Sequence, residues 1–232
     1  MVQQAIILAG GLGTRLRSVV EERPKSMALI NEKPFLEYLL DYLISQHIQK
    51  FILSVGYKSA FIESHFGNTY KGAKIVYVYE ETPLGTGGAV KKALEEVDAE
   101  YTLVTNGDTL FLVEIAPFFQ QHLRTKASIS LALKPMKDFD RYGTVKASSE
   151  GKVLQFQEKK YQKEGLINGG MYLFNRAAFD PFELEEKFSL EKDFFEKHLE
   201  ELALYAWMCD SYFLDIGIPE DYEKAQVEFI EL

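Results

Sequence analysis

Between residues 5 and 125, short apolar runs of strand length alternate with longer segments whose apolar residues recur at helical spacing. "AIILA" precedes "PFLEYLLDYLISQH", in which Phe35, Leu36, Leu39, Leu40 and Leu43 share one face behind Pro34. "FILSVG" then leads to "SAFIESHF", "KIVYVYE" to "TGGAVKKALEEV", and "YTLVTNGD" to "VEIAPFFQQHL". Parallel strands need a long crossover between them, and an amphipathic helix is the compact way to make one. The alternation therefore predicts an α/β fold with a mainly parallel sheet covered by helices on both faces.

After residue 125 the rhythm changes. "ASISLALKP", "GTVKAS", "KVLQFQEK" and "GGMYLFN" follow closely, with turn-forming "SSEG" between two of them. They predict hairpins that make the sheet mixed. "LEKDFFEKHLEEL" reads as a helix, and the chain closes on "YFLDIG" and a helix from Pro219 with Glu220 and Asp221 in its first turn. No linker or repeat interrupts residues 1–232, so a single domain is expected.

Charge and cysteine usage narrow the function. With 26 Lys+Arg against 35 Asp+Glu the formal net charge is −9, which argues against a nucleic-acid surface built on phosphate neutralisation. A small anionic ligand stays compatible, because local charge can oppose net charge. The one cysteine, Cys209, allows no internal disulfide and suits the cytoplasm, and it reads as a small core residue on a strand. No apolar stretch is long enough for a membrane span, and "AIILAGG" lacks the basic region of a signal peptide.

The loop after the first strand, "LAGGLGTRL", bares backbone at Gly10, Gly11 and Gly13 and adds Arg15. Glycines let main-chain N–H groups approach a polyphosphate, and an arginine offers a bidentate fork. Neither common glycine fingerprint fits. Gly13-Thr14-Arg15 replaces the Gly-Lys-Ser/Thr ending of a P-loop, and G-L-G-T-R-L lacks the last glycine of a dinucleotide site. Read alone, each candidate also has a plain structural meaning. "GGLG" is then a tight turn, Asp108 in "NGD" a turn residue, Asp215 in "FLDIG" a cap, and Lys159-Lys160 a solvated pair.

The set is more specific than its parts. "LAGGLGTRL", Lys25 in "RPKSM", "TPLGTGGAV", "NGD" and "FLDIG" occur in one order. From about residue 3 to residue 225 the chain resembles the sugar-1-phosphate nucleotidyltransferases, or nucleotide-sugar pyrophosphorylases. The resemblance implies a Rossmann-like, three-layer, GT-A-like nucleotidyltransferase domain over residues 1–232, its N-terminal half binding nucleotide and its C-terminal half sugar phosphate. It places Leu8, Gly10, Gly11, Gly13 and Thr14 along the nucleotide, Arg15 at the departing phosphates, and Lys25 at the α-phosphate. Glu81, Gly85, Thr86 and Gly87 would frame base and ribose. Asp108 and Asp215 would hold a metal, Mg²⁺. Tyr142, Gly143, Glu158 and Asn168 would line the sugar, with Lys159 on its phosphate. One departure is visible: the family usually has proline after the signature lysine, where Ser26 stands here, which predicts a less rigid loop.

Within the family, "KPFLEYLLDYL", "ETPLGTGGAV" and "FLDIGIPEDYEKAQ" look most like the branch that uses GTP and D-glycero-α-D-manno-heptose 1-phosphate. The alternatives are mannose 1-phosphate with GTP, glucose 1-phosphate with UTP or dTTP, and a catalytically silent nucleotide-sugar-binding regulator. The implied partners are GTP and a sugar 1-phosphate, a homodimer is compatible with them, and neither nucleic acid nor membrane is expected. At 232 residues, the trailing β-helix domain or fused second enzyme of longer members is not expected.

Overall fold

The computed structural model describes residues 1–11, 13, 16 and 22–230. The first half runs β1 (Gln4–Leu8), β2 (Leu29–Ile30), β3 (Lys33–Pro34), α1 (Phe35–Ser45), β4 (Lys50–Val55) and α2 (Ser59–Phe66). It continues through β5 (Thr69–Tyr70), β6 (Ala73–Tyr79), α3 (Gly85–Ala93), β7 (Tyr101–Asn106), β8 (Thr109–Phe111) and α4 (Ile115–Thr125). The second half is strand-rich: β9 (Ile129–Phe139), β10 (Thr144–Ala147), β11 (Val153–Gln157) and β12 (Gln162–Asn175), then β13 (Leu204–Met208), β14 (Phe213–Asp215) and α5 (Pro219–Glu228).

β7, β1, β4 and β6 lie side by side and parallel. β12 joins β7 antiparallel, β9 joins β12 antiparallel, and β13 adds parallel to β9. The hairpin β10–β11 branches off β12 at Ile167. The sheet is thus mixed and parallel at its centre, as the βα alternation followed by hairpins predicts.

The central strands are buried on both faces, and successive side chains point to opposite ones. Ala5, Ile7, Phe51, Leu53 and Leu103 enter one apolar cluster, while Ile6, Ile52 and Val104 enter the other. α1, α4 and α5 cover the first face, through Phe35, Leu39, Phe118 and Ala225 among others. α3 covers the second through Val90 and Ala93. Three layers result. On α1 the five residues picked out by spacing are all fully buried, and each such side chain contributes roughly 1.5–3 kcal/mol by leaving water.

Two local readings are corrected. "LEKDFFEKHLEEL" does not continue as an α-helix: Leu190–Glu196 forms a wide π-helical turn behind Ser189, whose hydroxyl accepts from Lys192 N–H. Leu190 and the adjacent Phe194 and Phe195 are all buried against the second face, a demand that the regular helical period meets poorly. Cys209 lies just past the end of β13, half-buried rather than in a strand.

Candidate active site

From β1 the chain crosses to β4 on one side and later returns to β7 on the other. Loops leaving the carboxyl ends of β1 and β7 therefore diverge, which opens a crevice at the switch point. Leu8 and Gly11 line one hollow in it with Glu80, Gly85, Thr86 and Asn106. A neighbouring hollow on the far side is lined by Arg141, Tyr142, Lys159, Asn168 and Phe213. Asn106 and Asp215 border both hollows.

Lys25, Asp108 and Asp215 meet where these hollows join. Lys25 Nζ lies 2.5 Å from Asp108 Oδ2 and 3.3 Å from Asp215 Oδ1. Lys25 comes from a short 3₁₀ turn, Lys25–Met27, closed by Met27 N–H donating to the Pro24 carbonyl at 2.8 Å. Asp108 follows β7 directly. Asp215 is brought beside it because β14 pairs antiparallel with β8, setting Asp215 opposite Thr109, and Ile216 N–H donates to the Asp108 carbonyl at 3.0 Å. Burial, and then the charge of Asp108, hold the Asp215 carboxyl above its ordinary range, while Lys25 pulls the other way. Two carboxylates crowded in one place call for a cation between them.

The second hollow is shaped by a break in β12. Its pairing with β9 shifts register between Asn168 and Tyr172, and Gly169 and Gly170 fill the bulge, Gly170 with φ +71°. A bulge re-aims a side chain next to a site, and here Asn168 turns into the hollow. Its Nδ2 donates to Tyr172 Oη at 2.8 Å, and Gly170 N–H donates to its Oδ1 at 3.1 Å. Tyr142 packs edge-on against Phe213, with ring centroids 5.9 Å apart. Burial, and then Asp215, push the Tyr142 phenol up, so it stays protonated. Arg141 pairs with Asp221 in the first turn of α5 at 2.6 Å, which fixes the guanidinium at the rim.

The arrangement is a polar, cation-edged cleft with room for two anionic ligands that meet at Lys25 and the paired carboxylates. Residues 4–231 match the nucleotidyl transferase family. The chain belongs to that family. It is 54% identical to a D-glycero-alpha-D-manno-heptose 1-phosphate guanylyltransferase of Aneurinibacillus thermoaerophilus over 225 residues, covering 97% of each chain. A Campylobacter jejuni protein of the same description is 48% identical, with 94% of this chain and 96% of that one covered. Among solved structures, HddC from Yersinia pseudotuberculosis superimposes with a TM-score of 0.87 at 37% identity, covering 98% of this chain and 100% of that one. The same protein complexed with GMP-PN gives 0.86.

Against this nucleotidyl transferase frame, the residues named from sequence divide clearly. Leu8, Gly10, Gly11, Gly13, Lys25, Gly85, Thr86, Asp108 and Asp215 line the first hollow and its junction with the second. Tyr142, Lys159 and Asn168 line the second hollow. Arg15 and Thr14 lie outside the described residues.

Four others stand elsewhere. Glu81 is exposed, and the acid that lines the cleft is its neighbour Glu80. Ser54 Oγ donates to Glu80 Oε1 at 2.8 Å and Leu84 N–H to Oε2 at 3.2 Å, so Glu80 braces the loop into α3. Gly87 is buried: its N–H donates to the Phe188 carbonyl at 3.0 Å, and a Cβ there would overlap the Phe188 ring. Its glycine serves close packing and leaves no N–H for a base. Gly143 packs on the Gln157 carbonyl, where a Cβ would come within 2.7 Å of the oxygen. Glu158 is exposed and pairs with Lys192 at 3.1 Å.

Sequence reasoning missed Glu80, Asn106 and Arg141. Each adjoins or opens a stretch that carries the resemblance: Glu80 precedes Glu81, Asn106 opens "NGD", and Arg141 precedes Tyr142 and Gly143. The motif letters carried the signal, but only the fold selects which neighbour faces the cleft.

Proposed function

We propose that this protein transfers a guanylyl group from GTP to D-glycero-α-D-manno-heptose 1-phosphate, giving GDP-heptose and pyrophosphate. An acceptor phosphate oxygen attacks the α-phosphorus, the new P–O bond forms, and the bridging P–O bond to the β-phosphate breaks. The observation that carries the reaction is the meeting of Lys25, Asp108 and Asp215 at the junction of the two hollows. Near-full-length identity to two heptose guanylyltransferases supports the substrate pair.

The physical problem is like charge. The acceptor monoester carries about −1.5 to −2, and two unit charges ~4 Å apart repel by roughly 4 kcal/mol at an effective dielectric of 20. Cations aimed at the developing charge are the main requirement, with in-line placement next. Lys25 serves the α-phosphate, and Lys159 with Arg141 serves the acceptor phosphate. Arg15, assigned by the motif, serves the leaving pyrophosphate. The attacking oxygen is already ionised, so no general base is needed.

Asp108 and Asp215 would hold a divalent cation, Mg²⁺. The fit rests on the two carboxylates, which already converge on one cationic atom, and on the raised Asp215. Hard oxygen donors, few in number, suit an ion that keeps waters and takes its other ligands from phosphates. Bound there, the ion would neutralise phosphate charge during the displacement. The single cysteine supports a cytoplasmic enzyme. Among the described residues no helix is long and apolar enough to cross a membrane.

Pyrophosphate release over a matrix of nucleoside triphosphates and sugar 1-phosphates tests the reading. GTP should exceed UTP and dTTP by well over an order of magnitude in kcat/KM, because a site that hydrogen-bonds a base rejects analogues that leave its groups unpaired. The heptose phosphate should exceed α-mannose 1-phosphate, with α-glucose 1-phosphate poorest because its 2-hydroxyl is inverted. Mannose 1-phosphate winning would reassign the acceptor, and equal use of UTP would overturn the guanylyl donor.

A further inference from the structure

Glu191, in the π-helical turn, lies behind both hollows and collects hydroxyl donors from each. Tyr172 Oη donates to its Oε1 at 3.0 Å, and Thr86 Oγ1 to its Oε2 at 3.1 Å. Ser189 Oγ donates to the same Oε2 at 3.2 Å. Thr86 lines the nucleotide side and Asn168, bonded to Tyr172, lines the other hollow. A single carboxylate is therefore one bond from the nucleotide side and two bonds from the acceptor side.

An ionised carboxylate only accepts, and that fixes the direction of every bond attached to it. The sole Tyr172 O–H proton goes to Glu191, so the phenol oxygen can only accept from Asn168. Burial, and then Glu191, push the phenol far up, which keeps that proton in place. Asn168 must then turn its amide nitrogen to Tyr172 at 2.8 Å, while its oxygen is taken by Gly170 N–H at 3.1 Å. What remains for the hollow is the second amide N–H, the one donor Asn168 still has, beside the second lone pair of its oxygen. On the other arm, Thr86 spends its O–H on Glu191 and accepts Leu190 N–H at 2.8 Å, which ties the start of α3 to the turn.

We propose that Glu191 is a positioning residue that sets the hydrogen-bonding polarity of the acceptor hollow through Tyr172 and Asn168, and fixes the nucleotide loop through Thr86. It makes Asn168 a donor toward a sugar hydroxyl oxygen. This rests on the assignment of the two hollows to GTP and sugar 1-phosphate. Glutamine at the position keeps one oxygen and replaces the other with an amide nitrogen that only donates, so the Tyr172 and Thr86 protons cannot both be received, and one arm must reverse or break.

Steady-state kinetics with GTP and D-glycero-α-D-manno-heptose 1-phosphate test it. Glu191→Gln should raise KM for both substrates, each roughly tenfold by loss of a charge-assisted hydrogen bond, with kcat changed much less. Tyr172→Phe keeps the ring and cuts only the acceptor arm, so it should raise the acceptor KM and leave the GTP KM unchanged. In the double variant the acceptor KM should be no higher than in Glu191→Gln alone, because both changes cut one chain. A purely structural role would instead lower the active fraction, and thus kcat, at constant KM, and that outcome overturns the proposal. So would Tyr172→Phe raising both KM values equally. Asn168→Ala separates the levels. An unchanged acceptor KM there removes the acceptor-hollow assignment itself, whereas a raised one with Glu191→Gln silent removes only the relay.

Discussion

Asp215 lies 3.3 Å from Lys25 Nζ although 190 residues separate them in the chain. The contact exists because the short β8–β14 pair carries the C-terminal segment back to the end of β7. Asp108 takes the same ammonium from the turn that follows β7, at 2.5 Å. One cation thus ties two acids 107 residues apart in sequence together at the junction of the two hollows.

Replacing either acid tests this centre. Asp108→Asn and Asp215→Asn should each remove most turnover at saturating Mg²⁺, while the thermal midpoint stays near that of the parent. Initial rates and a melting curve on the same preparations decide it. Near-normal turnover in either variant removes that residue from the assignment.

Removing the cation makes the complementary test. In Lys25→Ala the two carboxylates face each other without their shared partner, so the ligand-free midpoint should fall. A bound ion stabilises the folded state by mass action, and Mg²⁺ should raise the midpoint of Lys25→Ala by more than that of the parent. Thermal shift against Mg²⁺ concentration measures both. Equal shifts would mean that the ion does not answer the same carboxylates.

Arg141 was not singled out by any motif, yet it borders the acceptor hollow and is held by Asp221. Arg141→Ala should raise the KM of the sugar 1-phosphate roughly tenfold, in the range of a lost charged hydrogen bond, without changing that of GTP. Arg141→Lys should restore part of the loss, since a point charge replaces a planar fork incompletely. An unchanged acceptor KM in Arg141→Ala would leave the residue as a tether for α5 alone.

His122 gives the fold an acid-sensitive element away from the cleft. It is 1% exposed, its Nδ1 lies 2.8 Å from Ser130 Oγ, and its Nε2 has no hydrogen-bond partner among the described residues. Burial brings its pKa down from 6.5 to about 4. Between these values the unfolded chain binds the proton and the folded one does not, so stability is lost as pH falls through that window. The loss by pH 4 is on the order of 3 kcal/mol. His122→Asn keeps a polar partner near Ser130 without the titration, so the midpoint difference between parent and variant should shrink or reverse on acidification from pH 6.5 to 4. Parallel melting profiles would show that His122 does not control the slope.

The layers of the fold and the order of its motifs were legible in the amino-acid sequence, because periodicity and glycine placement are local properties. A continuous apolar run in "AIILA" demands burial on both faces, a helical spacing in "PFLEYLLDYL" demands it on one, and a parallel sheet between helices satisfies both. Lys25, Asp108 and Asp215 were legible for the same reason, each marked by its own motif. The tertiary structure alone decided between neighbours and across distance. Glu80 rather than Glu81 lines the cleft because a one-residue step beyond β6 reverses the side chain's direction and Ser54 waits on one side only. Gly87 is spent on Phe188, and Glu191 on Thr86 and Tyr172, through contacts between segments about a hundred residues apart for Gly87 and Thr86. Such contacts leave no periodic trace in the sequence, since they depend on where two independently formed elements come to rest against each other.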